Sequence, residues 1–153
     1  MIFEGKIELA VPVTKTWDFL LDIDQFTSIM PGLESVTKID DRSFDGIISA
    51  TVGPISGKFA FRSTIVESTP LTELVVRVEG TDSVTGSKIS SNVTATLKQP
   101  IEGRTELSYR ADVEIKGRIA ILGDMVMRAT SSLLLEEFTK RLRMKLEGNE
   151  TAV

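Results

Sequence analysis

Ser63, Ser91 and Tyr109 stand out because their spacing sets hydroxyls among apolar neighbours. Ser63 shares one side of an alternating segment with Phe59, Phe61 and Ile65. Ser91 shares one with Ile89, Val93, Ala95 and Leu97, and Tyr109 with Leu107, Ala111, Val113 and Ile115. Alternation with a period of two marks one face of a strand. A polar group on an apolar face needs a hydrogen-bond partner. In a plain core, that partner is a backbone group or a buried water. In a binding protein, such hydroxyls orient the polar end of a lipophilic guest. Tyr109 also offers a proton, but one tyrosine is not a mechanism.

Other chemistry is scarce. The 153-residue chain has no histidine, which removes the usual general base near neutral pH. It has no cysteine, so disulfides and thiolate metal sites are excluded. Glu4, Glu8, Glu79, Glu106, Asp112 and Glu114 alternate onto wet strand faces, where charges are solvated by default. There is no phosphate loop, dinucleotide fingerprint or nucleophile elbow. No catalytic residue, metal ligand or cofactor is assigned. A net charge of −4 and a pI near 5.0 disfavour a nucleic-acid partner.

Met30, Met125 and Met127 suit irregular apolar surfaces, as gap-filling core or as pocket wall. Met125 and Met127 are two residues apart, about 200° round a helix, so only one of them faces the core squarely. Gly123 interrupts a helical pattern. A close approach to the helix backbone explains it; so does a helix that begins at Asp124 after a separate lead-in turn over 117–123. Met30-Pro31-Gly32 suits a type II turn and a gating role at a pocket mouth.

These residues need elements to hold them. Residues 2–11 alternate as a strand, which Pro12 ends. Thr14 is the expected N-cap of a short helix carrying Trp17, Phe19, Leu20 and Leu21. Residues 22–30 read as a second short helix. Six strands follow, over 33–39, 44–52, 57–67, 74–79, 87–97 and 105–116, with Gly53-Pro54 among the turns. From Arg118 the period becomes helical, through Ile119, Leu122, Val126, Ala129, Leu133, Leu135, Phe138 and Leu142. A meander with one apolar face needs a cover, and the last helix is the long element available. The class is α+β: a seven-stranded curved antiparallel sheet around a long C-terminal helix, with two short helices after the first strand. One domain is expected over 1–148, with a frayed tail over 149–153.

The chain resembles the CoxG family, named for the CoxG subunit of carbon monoxide dehydrogenase, within the START-like, Bet v 1-like (SRPBCC) superfamily. The likeness rests on Phe3-Glu4-Gly5, on Val13 with Trp17-Asp18-Phe19-Leu20 and Asp22, and on Met30-Pro31-Gly32-Leu33-Glu34. It continues in Val52-Gly53-Pro54-Ile55 with Phe59, and in Gly117, Ala120, Leu122 and Gly123. The resemblance implies a helix-grip fold and a place beside molybdenum hydroxylases of the carbon monoxide dehydrogenase type. It also implies a lipophilic ligand such as a quinone. Some members carry a C-terminal extension with an apolar end; this sequence ends at Val153, and anchoring by such a tail is not expected.

The expected ligand site comprises Trp17, Met30, Pro31, Gly32, Phe61, Ser63, Ser91, Val93, Tyr109, Ala111, Leu122, Met125 and Val126. The expected function is non-catalytic binding of a small lipophile, as accessory protein of a molybdenum hydroxylase. Two alternatives stay open: an adaptor for hydroxylase maturation or membrane recruitment with a vestigial pocket, and a cyclase-like or hydrolase-like enzyme using the same cavity. No leader peptide or transmembrane segment is read, so the expected location is cytoplasmic. Peripheral membrane contact and a homodimer stay open.

Overall fold

The computed structural model describes residues 1–52 and 54–148. The expected Gly53-Pro54 connection falls in part on Gly53, which lies outside the described residues, as does the expected tail 149–153. Strand β1 (Ile2–Leu9) leads into α1 (Val13–Leu21) and α2 (Ile23–Thr27). Then come β2 (Leu33–Lys38), β3 (Ser43–Val52), β4 (Ile55–Thr69), β5 (Glu73–Asp82), β6 (Lys88–Lys98) and β7 (Thr105–Lys116). A 3-10 turn (Arg118–Leu122) precedes α3 (Gly123–Glu147). The strands form one antiparallel sheet in the order β1-β7-β6-β5-β4-β3-β2. This is the expected helix-grip arrangement.

Local chemistry differs from expectation at the start of α1. Pro12, not Thr14, precedes α1, and its carbonyl accepts from Thr16 N at 3.2 Å. Proline's fixed φ already suits a helix entrance, so the threonine cap is not needed. Asp22 caps α2 by accepting from Gln25 N at 3.1 Å. Gly123 has a φ of +84°, and nothing lies within 4 Å of where its Cβ would sit. Close approach does not explain this glycine. It lets the chain turn between the lead-in 3-10 turn and the helix, as the second explanation has it, but the helix starts at Gly123 and no side chain, Asp124 included, caps it.

Helix α3 presents most of the stripe its spacing suggests, with Val126, Leu135, Phe138 and Leu142 buried or half-buried, but not its middle. The spacing puts Ala129 and Leu133 inside; both are exposed, Leu133 by 68%. Besides the expected Leu135, Phe138 and Leu142, the inward side carries Met127, Ser131 and Leu146. Small polar residues stand mid-helix where a filled core would place leucines, so the sequence pattern misjudges the facing side there. Along one flank, α3 clasps the free edge of β1. Arg128 Nη1 donates to Ile2 O at 3.0 Å, and Arg143 Nη2 to Glu8 O at 3.3 Å. Glu147 Oε2 accepts from Ala10 N at 2.9 Å. These bonds satisfy edge groups that would otherwise be open to pairing.

Candidate functional site

The apolar interior is divided. One buried cluster joins Leu9, Trp17, Phe19, Leu107, Leu142 and Leu146, where α1 and the end of α3 meet the sheet. A second joins Phe59, Ile119 and Met127, with Ile48, Ile89 and Ile115 packed on it, where the 3-10 turn closes the other end. Between them, Phe61, Val78, Val93, Ala111 and Val113 belong to neither cluster and are only half-buried. Helix α3 repeats the pattern: Met127, Leu142 and Leu146 are buried, while Ser131 and Leu135 between them are half-buried. Sheet and helix are thus tight at both ends and loose in the middle. That band is the candidate binding cleft.

Glycines shape its floor. Phe61 pairs with Gly46 on β3 and with Gly80 on β5. A Cβ on Gly46 would stand 2.7 Å from Phe61 Cζ, so the ring lies over that glycine. Phe44 meets the same ring edge-on, with centroids 5.8 Å apart. At the sheet's other side, Tyr109 pairs with Gly5, and a Cβ there would overlap the tyrosine hydroxyl. Two aromatic rings therefore lie low, each over a neighbouring strand's glycine. Gly46→Ala is expected to lift the Phe61 ring. The cost is about 1–3 kcal/mol of stability, read by denaturant titration, with weaker uptake of any lipophile.

The polar groups follow from the register. Ser63, Val78, Ser91 and Val113 form one rung across β4, β5, β6 and β7. Two strand spacings put Ser63 and Ser91 about 10 Å apart. Ser91 is 7% exposed, and its Oγ has no hydrogen-bond partner among the described residues. Tyr109 sits four residues before Val113 on β7, so it lies two rungs away from Ser91. Burial pushes its phenol up from an ordinary value of 10.0, further from neutral pH, so the hydroxyl stays a donor.

The other expected site residues are spread. Trp17 is buried in the first cluster. Leu122 and Val126 are partly buried against the second. Met30, Pro31 and Gly32 form the turn from α2 to β2: Leu33 N donates to Met30 O at 3.4 Å, and Gly32 has a φ of +78°, as a type II turn requires. Met125 is 85% exposed, and Met127 takes the inward position. The structure therefore brings together Phe61, Ser63, Ser91, Val93 and Ala111, with Tyr109 at the border. Val78, Val113 and Ser131 are lining residues outside the expected set. Val113 shares Tyr109's alternating face on β7, and Val78 that of Leu74 and Val76 on β5, so period two could have found them.

A groove of about 860 Å³ lies on the opposite, outer face of the sheet. Six of its seven charged residues pair off: Arg62 with Asp45 at 2.7 Å, Arg77 with Glu79 at 3.3 Å, and Lys116 with Glu114 at 3.2 Å, which leaves Lys88. That is a wet, salt-bridged face and not a lipophilic site. No helix among the described residues is long and apolar enough to cross a membrane.

Comparison with solved structures places the fold. A conserved protein from Geobacillus kaustophilus is 19% identical, with a TM-score of 0.88 over 97% of this chain and 96% of that one. The ZhuI aromatase/cyclase from Streptomyces sp. R1128 is 14% identical, with a TM-score of 0.70 over 99% and 96%. A START superfamily protein from Mycobacterium smegmatis is 13% identical, with a TM-score of 0.70 over 96% and 97%. No curated protein matches the sequence. The profile of the carbon monoxide dehydrogenase CoxG subunit matches residues 5–147, nearly the whole chain. The chain belongs to the CoxG family of carbon monoxide dehydrogenase subunits, built on the START-like fold.

Proposed function

We propose that this protein binds a small lipophilic molecule without transforming it, as an accessory to a molybdenum hydroxylase of the carbon monoxide dehydrogenase type. The observation that carries the reading is the half-buried apolar band between two packed clusters. An interior built only for stability would close that band, because each buried aliphatic side chain contributes about 1.5–3 kcal/mol. Family membership supports the hydroxylase partner. A quinone fits as guest: it is apolar in the ring and chain, and carries carbonyls that accept from hydroxyls. Binding is favoured over catalysis because the inner wall between the clusters offers hydroxyls and no carboxylate. The likeness to an aromatase/cyclase is one of fold.

A second reading, an adaptor, draws support from exposed Ile121, Met125 and Leu133. The two separate in one experiment. Solvent extraction of the purified protein, read by mass spectrometry, should yield a bound lipophile. A short-chain quinone should titrate with a Kd in the micromolar range, on the order of −8 kcal/mol. An empty extract together with no quinone affinity would leave the adaptor.

A further inference from the structure

The charge pattern of the cleft wall narrows the guest. On the inner face of β3 to β7, Asp82 is the single ionisable carboxylate or amine among the described residues. It lies at the end of β5, paired with Phe59 of the second cluster. Its oxygens already accept from Val84 N, Thr85 N and Thr85 Oγ1. The band between the clusters is lined by aliphatic groups, Phe61, and hydroxyls. An anion placed at Ser91 would lose its hydration and find no cation on the inner face of β3 to β7; Arg128 of α3 stands at the β1 edge of the band, over the Phe3 ring at 5.2 Å, with Nη1 given to Ile2 O. A neutral guest would lose far less. Ser91 supplies the second observation: a hydroxyl more than nine-tenths buried, on the cleft face, with no partner among the described residues.

We infer that the cleft selects an uncharged lipophile carrying a hydroxyl or carbonyl oxygen, and that Ser91 Oγ–H donates the hydrogen bond that orients it. This rests on the carrier reading and narrows it. In the unliganded protein the Ser91 oxygen is covered, so the side chain turns to another staggered rotamer to meet the guest. Ser91 is a specificity and positioning residue with no bond made or broken at it.

The test is calorimetric titration at pH 8 with dodecan-1-ol and dodecanoate, whose flexible chains are alike and whose heads differ in charge. The alcohol should bind at least about tenfold more tightly than the carboxylate. Ser91→Ala should weaken the alcohol by about fivefold, the worth of one net hydrogen bond, and should not lower the melting temperature of the free protein. Ser91→Thr, which keeps a hydroxyl, should hold most of the affinity. Equal or tighter binding of dodecanoate overturns the inference and leaves the carrier reading standing. Unchanged alcohol affinity in Ser91→Ala overturns the assignment of Ser91. If neither probe binds and the quinone titration is also silent, both readings fall together.

Discussion

Ala111→Trp is expected to abolish lipophile uptake while leaving the protein folded. Ala111 lies on the inner face of β7, half-buried, with Phe3 and Val93 as its rung neighbours. It stands in the band that neither packed cluster fills. A tryptophan there brings a side chain that buries about 150–250 Å² and occupies the space the guest would use. Excluding about 150 Å² of guest surface, at about 25 cal/mol per Å², removes about 4 kcal/mol, nearly a thousandfold in Kd. In an already filled interior, the same change would overpack and cost about 1–3 kcal/mol of stability. Paired calorimetry and thermal denaturation therefore decide the matter. A silent titration with a melting temperature near that of the parent supports a cleft; a large drop in melting temperature, or undiminished binding, counts against one.

The largest expected loss of stability comes from Asp82→Ala. Asp82 is fully buried at the end of β5. Its carboxylate accepts from Thr85 Oγ1 at 2.5 Å, Thr85 N at 2.8 Å and Val84 N at 3.3 Å. The Thr85 proton is committed to Asp82, so Ser87 Oγ donates to Thr85 Oγ1 across their 2.7 Å separation. Ser87 Oγ in turn accepts from Ile119 N at 3.1 Å. A relay of hydrogen bonds thus ties the β5–β6 hairpin to the turn that opens α3. Gly57 stands across from the carboxylate, where a Cβ would collide with it, and Gly117 (φ +111°) passes close to Ser87. Truncation leaves the hairpin donors unmet in a buried place. We expect a loss of about 3 kcal/mol, a fall of about 6–12 °C in melting temperature.

The same carboxylate sets a pH dependence. Burial alone would raise its pKa, but the hydrogen bonds from Thr85 and Val84 outweigh burial and hold it below its ordinary value of 3.8. The folded state therefore favours the charged form. Its contribution is complete above the unfolded value and is lost as pH falls through the lower folded one. Denaturant titrations below about pH 4 should show the parent losing stability faster than Asp82→Ala. Parallel slopes for the two proteins would refute this account of Asp82.

The strands were legible because a half-exposed sheet writes its two faces as alternation. Thr105–Lys116 matches its expected bounds, and the inward positions of Ser91 and Tyr109 follow from parity. The ends of α3's facing side were legible, but its middle was not. Its middle carries Ser131 toward the sheet and Leu133 toward solvent, so hydropathy points the wrong way. Asp82 read as nothing special, since its partners depend on a hairpin's path.

The sequence by itself determined the meander, the covering helix, the family and the hydroxyls on the inner face, because these rest on local period and on residue order. Only the tertiary structure decided that the interior splits into two clusters with a loose band between them. It also decided which glycines lie beneath Phe61 and Tyr109, and that the Ser91 hydroxyl meets no partner among the described residues. Those features depend on what each side chain finds across the sheet or beneath the helix, and such neighbours are far apart along the chain.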